Sequence, residues 1–146
     1  MSSPAADPPF MRSMHVERYR LFEWVTSSTM MTMALILLIS PQAATTGDLH
    51  VMRGVGLSAP LLAVTFALGG CLRLAALYAN GHWPLYGPRC RALGALVGAI
   101  LWAQMGLALL MWTTSTGQPS VSIALYAGLT VGEMVSCYRA AADAGT

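Results

Sequence analysis

Residues 93–112 read LGALVGAILWAQMGLALLMW, a run without a single charged side chain, and this run decides the fold. A helix of that length rises about 30 Å, which is the thickness of the hydrocarbon core of a bilayer. Three further apolar runs of similar length occupy residues 21–39, 57–78 and 121–138. The four runs predict an all-α fold, an integral membrane four-helix bundle.

The composition agrees with a membrane environment. The chain has 146 residues, of which 55% are hydrophobic and only 10% are charged. A soluble domain carries about a quarter charged residues, and a soluble core of this size could not bury so much apolar surface. The formal net charge is +2, from basic residues scattered along the chain, so no basic patch predicts a nucleic-acid partner.

The polar stretches divide the chain into three parts. We expect residues 1–19 to form a flexible cytoplasmic segment, residues 20–140 the transmembrane domain, and residues 141–146 a short cytoplasmic tail. Residues 43–57, 80–89 and 113–120 are rich in turn-forming residues and are expected to be the connections. An alternative is that the first run is a cleaved signal peptide, which would leave three spans. The length of the run and Glu23 within it argue against cleavage.

The basic residues predict an orientation, because short segments rich in positive charge stay in the cytoplasm. All eight are arginines. With four spans, Arg53 lies on one side of the membrane and the others lie on, or close to, the opposite side. Those others are Arg12, Arg18, Arg20, Arg73, Arg89, Arg91 and Arg139. Both termini are therefore expected in the cytoplasm.

Two charged residues fall inside predicted spans at a similar depth. Arg73 lies in the second span and Glu133 in the fourth. Charges at membrane depth usually face the bundle interior and pair, so we expect an intramembrane ion pair between them. Glu23, near the start of the first span, is a second candidate partner for Arg73. The alternative for Arg73 is that its long side chain extends to the headgroups.

Small residues mark one face of each of the last two spans. Gly94 and Gly98 are four residues apart, as are Gly128 and Gly132. Glycines at this spacing let helices approach closely, so we expect the third and fourth spans to pack there; self-association is the alternative. Gln104, in the middle of the third span, is expected to hydrogen-bond to another helix.

The first span carries Ser and Thr residues between positions 26 and 32. We expect their hydroxyls to bond to carbonyls of the same helix. A polar face that lines a shared pore is the alternative.

No pattern of catalytic residues is recognisable. His15, His50 and His82 all lie outside the spans, so neither a metal site nor a haem site within the bundle is expected. Phosphate-binding loops and nucleophile motifs are missing as well. The expectation is a protein that is not an enzyme and that has no cofactor.

Two segments resemble small membrane proteins of tailed phages and prophages, which are uncharacterised and sometimes grouped with holins. These are LRLAALYANGHW at residues 72–83 and the segment from Glu133 to Asp143. The resemblance implies a bacterial inner membrane and matches Arg73 and Glu133 as polar positions.

Two functional hypotheses follow from the sequence. The first is a holin-like homo-oligomer that permeabilises the lipid bilayer. The second is a structural or accessory membrane subunit that docks partner proteins of unknown identity.

Overall fold

The structure is a computed structural model that describes residues 9–45, 47–54, 56–83 and 86–145. Within these residues the chain is helical, without strands, which confirms the all-α prediction. The α-helices are α1 (Pro9–Ile39), α2 (Gly47–Gly54), α3 (Ala59–His82), α4 (Gly87–Thr116) and α5 (Ser122–Ala144), with a 3₁₀ helix at Pro41–Thr45.

Local sequence signals set several of the helix ends. Ser58 caps α3 by accepting a hydrogen bond from the Leu61 amide at 3.4 Å, and Pro60 lies in the first turn, where its missing N–H costs nothing. Gly117 ends α4 in a left-handed conformation with φ of 71°, which glycine adopts without steric strain.

The connections are shorter than the sequence predicts. Residues 80–89 contain the end of α3 and the start of α4, because Gly87 and Pro88 are tolerated in a first helical turn. The predicted loop at residues 43–57 contains most of the 3₁₀ helix and all of α2.

The terminal segments also contain helix. α1 already begins at Pro9, within the segment predicted to be flexible, and α5 continues through most of the predicted tail to Ala144. Residues 1–8 and Thr146 of those two predicted segments lie outside the described residues.

The long helices alternate in direction and pack in chain order. The most extensive contacts join α4 to α5, followed by α1 to α3 and α3 to α4, whereas α1 and α5 touch over a short length. One end of the bundle holds the α3–α4 connection and Arg20, Arg89, Arg91 and Arg139; we call it the arginine-rich end. The opposite end holds α2 with Arg53.

The hydrophobic core fills the middle of the bundle and the half nearer α2. Trp102 on α4 is its centre, with Met30, Leu37, Met105 and Leu109 among the buried neighbours. Two aromatic rings flank the indole: Phe66 at 6.2 Å and Tyr126 at 5.9 Å between ring centroids. The aromatic contacts join α3, α4 and α5 and are worth about 0.5–1.5 kcal/mol each beyond burial.

Among the described residues, three helices are long and apolar enough to cross a membrane: α1 over Arg20–Ile39, α3 over Ala59–Asn80 and α4 over Gly87–Thr116. The fourth predicted span, in α5, is not among them. Glu133 and Arg139 lower the mean hydropathy of α5. Its contact with α4 is nevertheless the most extensive between any two described helices. The structure therefore gives three span-capable helices within an all-helical bundle.

Candidate functional site

The two charged residues within the bundle, Arg73 on α3 and Glu133 on α5, form an ion pair. The guanidinium Nη2 of Arg73 lies against Oε2 of Glu133, and the side chains are 1% and 0% exposed. Arg73 therefore does not extend to the bundle surface, as the alternative interpretation required. A pair removed from water in this way needs close geometry, because the attraction must offset the loss of two hydration shells.

Thr26 on α1 adds a third helix to this pair. Its hydroxyl accepts a hydrogen bond from Arg73 Nη2 at 3.3 Å and donates to the backbone carbonyl of Glu23 at 3.2 Å. Thr26 is itself fully buried. The side chain of Arg73 is thereby fixed between α1 and α5.

Glu23 pairs with a different arginine from the one considered in the sequence. Both of its carboxylate oxygens accept from Nε of Arg91 on α4, at 2.9 and 3.0 Å. Glu23 is 0% exposed, and Arg91 also donates through Nη1 to Asp143 on α5 at 3.3 Å. The candidate contact between Glu23 and Arg73 is thus replaced by one between Glu23 and Arg91.

Together Glu23, Thr26, Arg73, Arg91 and Glu133 form what we call the charge cluster. It takes residues from α1, α3, α4 and α5 and lies in the half of the bundle nearer the arginine-rich end. Two cations face two buried anions, so the cluster is balanced internally.

Sequence reasoning missed Arg91, which it treated as a flanking residue. A signal was available, because Glu23 follows the flanking Arg20 by three residues and Arg91 follows the flanking Arg89 by two. The two side chains thus start at nearly equal depth on α1 and α4.

Gly98 on α4 makes room for the carboxylate of Glu133. A Cβ atom at this position would lie 2.9 Å from Oε1 and 3.0 Å from Cδ of Glu133. Gly94, one turn earlier, instead faces α3, where a Cβ would lie 3.1 Å from that of Ala76. The two glycines therefore serve different helix contacts, although the sequence assigns both to α5.

The glycines of α5 also face different surroundings. Gly132 lies against the ring of Phe22 on α1. At Gly128 a Cβ would have no atom within 4 Å, so this residue makes no close approach to α4 or any other described part of the chain. Only Gly98 of the four glycines packs between α4 and α5 as expected.

Polar side chains also occur on the outer faces of the helices. Thr29 and Thr32 on α1 are exposed and donate to the carbonyls of Val25 and Ser28 at 2.8 and 2.9 Å, as expected for hydroxyls in a helix. Gln104, in the middle of α4, is also exposed, so its amide points away from the other helices of the bundle. The expected hydrogen bond from Gln104 to another helix does not form among the described residues.

The chemistry that the cluster can perform is limited by its pairing. Within the described residues there is no group of His, Cys, Asp and Glu side chains that could hold a metal ion. The cluster offers two carboxylates, each already engaged by a guanidinium. Its evident role is to join four helices.

Comparisons with protein-family models, with curated proteins and with solved structures give no significant match for this chain.

The ion pair predicts a strong coupling in a double-mutant cycle. Arg73→Met and Glu133→Leu should each destabilise the protein by roughly 3–5 kcal/mol, because each leaves an uncompensated buried charge. The double variant should recover most of that loss, since neither charge remains. Reversible unfolding in detergent micelles, followed by circular dichroism, measures the three changes. Arg89→Met, at an exposed arginine on α4, is the control. Additive losses in the double variant would contradict the pairing.

The packing at Gly98 predicts a position-specific effect of one methyl group. Gly98→Ala should lower stability by about 1–3 kcal/mol, since the new Cβ displaces the Glu133 carboxylate from Arg73. Gly128→Ala is the matched control and should be neutral or slightly stabilising, because the site is open and alanine favours helix. Equal melting temperatures for the two variants would refute the close contact of Gly98 with Glu133.

Proposed function

We propose that this chain is a four-span protein of a bacterial inner membrane, with both termini in the cytoplasm. The described arginines support this orientation: Arg20, Arg89, Arg91 and Arg139 lie at one end and Arg53 at the other. Segments that are rich in arginine remain on the cytoplasmic side. The likeness of residues 72–83 and 133–143 to membrane proteins of phages and prophages supports the bacterial inner membrane.

α5 serves as the fourth span in this proposal. Its hydropathy is reduced chiefly by Glu133 and Arg139, and the charge of Glu133 is compensated by Arg73 inside the bundle. A paired carboxylate enters a membrane interior at a far lower cost than an isolated one. The extensive packing of α5 along α4 supports its inclusion with the three more apolar helices.

The activity we propose is holin-like: copies associate and make the membrane permeable. The observation that carries it is the outward-facing amide of Gln104 in the middle of α4. In hydrocarbon such an amide lacks hydrogen-bond partners, and a second copy can supply them. The exposed hydroxyls of α1 give the assembled copies a further polar surface.

Within the part of the chain that the structure describes, a single copy has no continuous polar route for water along its axis. The core around Met30, Trp102 and Leu109 is apolar, and the charge cluster occupies only the arginine-rich half. In the proposal the conduit therefore runs between copies, along the outer surfaces of α1 and α4.

The second candidate function is that of an accessory subunit that docks other proteins. The pairing inside the charge cluster favours it, since the buried polar groups stabilise one closed bundle. In this case expression leaves the membrane potential intact, and other proteins copurify in mild detergent.

Induced expression in a bacterial host distinguishes the two functions. The holin-like protein should dissipate the membrane potential, measured with a potential-sensitive dye, within one doubling time. Gln104→Leu should reduce the effect, because an interhelical hydrogen bond is worth roughly 0.6–2 kcal/mol. Gln118→Leu is the control: it removes the same amide group from the α4–α5 connection, outside the span. This variant should dissipate the membrane potential as the wild-type chain does. Intact potential at high expression of the wild-type chain would refute permeabilisation.

A further inference from the structure

A groove opens on the side of the bundle where α1 and α5 meet. Its volume is about 270 Å³, and its position follows from the short contact between these two helices. The residues that line it are Phe22, Arg91, Gly132, Val135, Ser136 and Arg139. Polar donors thus stand next to an apolar surface, near the arginine-rich end.

The donors in the groove are not fully used by the protein. Arg91 donates through Nε to Glu23 and through Nη1 to Asp143, and the structure gives its Nη2 no acceptor among the described residues. Ser136 is 6% exposed, and its hydroxyl likewise has no hydrogen-bond partner within the described part of the chain. Both atoms can therefore donate to an oxygen that enters the groove.

Arg91 holds the two anions next to the groove through contacts of different length. Glu23 is fully buried behind Arg91 and occupies Nε with both oxygens. The side chain of Asp143 is 61% exposed and lies 3.3 Å from Nη1, longer than the 2.7–2.9 Å of a strong charge-assisted bond. An incoming anion competes with Asp143 for Nη1 of Arg91, whereas Glu23 remains in place; Asp143 also has a further interaction within the protein.

The apolar part of the groove continues toward the middle of the bundle. Gly132 precedes Arg139 by about 10 Å along the helix axis, at 1.5 Å per residue. The ring of Phe22 lies against Gly132, and Val135 is partly exposed beside it. An acyl chain can lie along the groove toward the middle of the bundle, while the cationic end of the groove lies at the level of the lipid headgroups.

We propose that the groove binds one anionic phospholipid through its phosphate. Arg91 and Ser136 donate to the phosphate oxygens, and Arg139, which also interacts within the protein, contributes its positive charge beside them. An acyl chain covers Phe22, Gly132 and Val135. The inference rests on the proposed insertion of the chain into a membrane. Lipid binding does not require permeabilisation, so the two can be tested separately.

The full chain is purified in a neutral maltoside detergent and titrated with phosphatidylglycerol or with phosphatidylcholine. The rise in its melting temperature measures the binding of each lipid. Phosphatidylglycerol should stabilise the protein at lower concentrations. Arg139→Gln should weaken the apparent affinity about tenfold, as expected for the loss of one positive charge beside the phosphate. Arg89→Gln, at an exposed arginine of the same end outside the groove, should change it less than twofold.

Two further variants keep the test decisive if Arg139→Gln folds poorly. Asp143→Asn should strengthen the binding of phosphatidylglycerol, because the competing carboxylate is gone. Val135→Trp should weaken it without a change in charge, because the indole fills the acyl end. Equal losses for Arg139→Gln and Arg89→Gln, or equal binding of the two lipids, would overturn the proposal.

The alternative ligand, a free anion, is tested by adding inorganic phosphate to the protein. Chloride at the same ionic strength is the control. Phosphate alone should stabilise the protein no more than chloride does, since the acyl chain supplies part of the binding. Stabilisation by phosphate equal to that by phosphatidylglycerol would overturn the assignment to a lipid.

Discussion

The bundle depends on the ion pair between Arg73 and Glu133. The pair lies in the interior, where an isolated charge is strongly unfavourable, so each side chain fixes the position of the other. Thr26 extends the constraint to α1, and the absence of a side chain at Gly98 lets the carboxylate lie against α4. One pair therefore sets the relative placement of four helices, and the contact between Glu23 and Arg91 repeats that function nearer the arginine-rich end.

Much of the fold could be predicted from the sequence, because apolar runs of about 20 residues have few alternatives to a buried or membrane-embedded helix. The runs at residues 21–39, 57–78 and 93–112 coincide with the three span-capable helices. The helix ends could not be predicted as well. Turn-forming residues such as Gly87 and Pro88 also fit a first helical turn, and only packing decides between the two roles.

In the candidate site, too, some contacts could be predicted from the sequence and others could not. The depths of Arg73 and Glu133 suggested their contact, because a charge inside an apolar run needs a partner. The partner of Glu23 could not be derived in this way, since the helix rotation that turns Glu23 toward Arg91 is set by side-chain packing. The same limit applies to the glycines: spacing places Gly128 and Gly132 on one helix face, but only the structure shows that Gly132 meets Phe22 while Gly128 is open. Gln104 was expected to bond within the bundle, and its outward orientation instead supports association between copies.

We propose that pairing of Glu133 with Arg73 allows α5 to cross the membrane as the fourth helix. Side-specific labelling measures this directly: in a variant without Cys71, Cys90 and Cys137, a single cysteine replaces either Val121 or Gly145, at opposite ends of α5. A membrane-impermeant maleimide should label Val121→Cys from outside intact cells, and Gly145→Cys only after the membrane is opened. With Arg73→Met added, the labelling of Val121→Cys from outside should fall. Labelling of both cysteines from the same side in the otherwise unchanged chain would contradict the account.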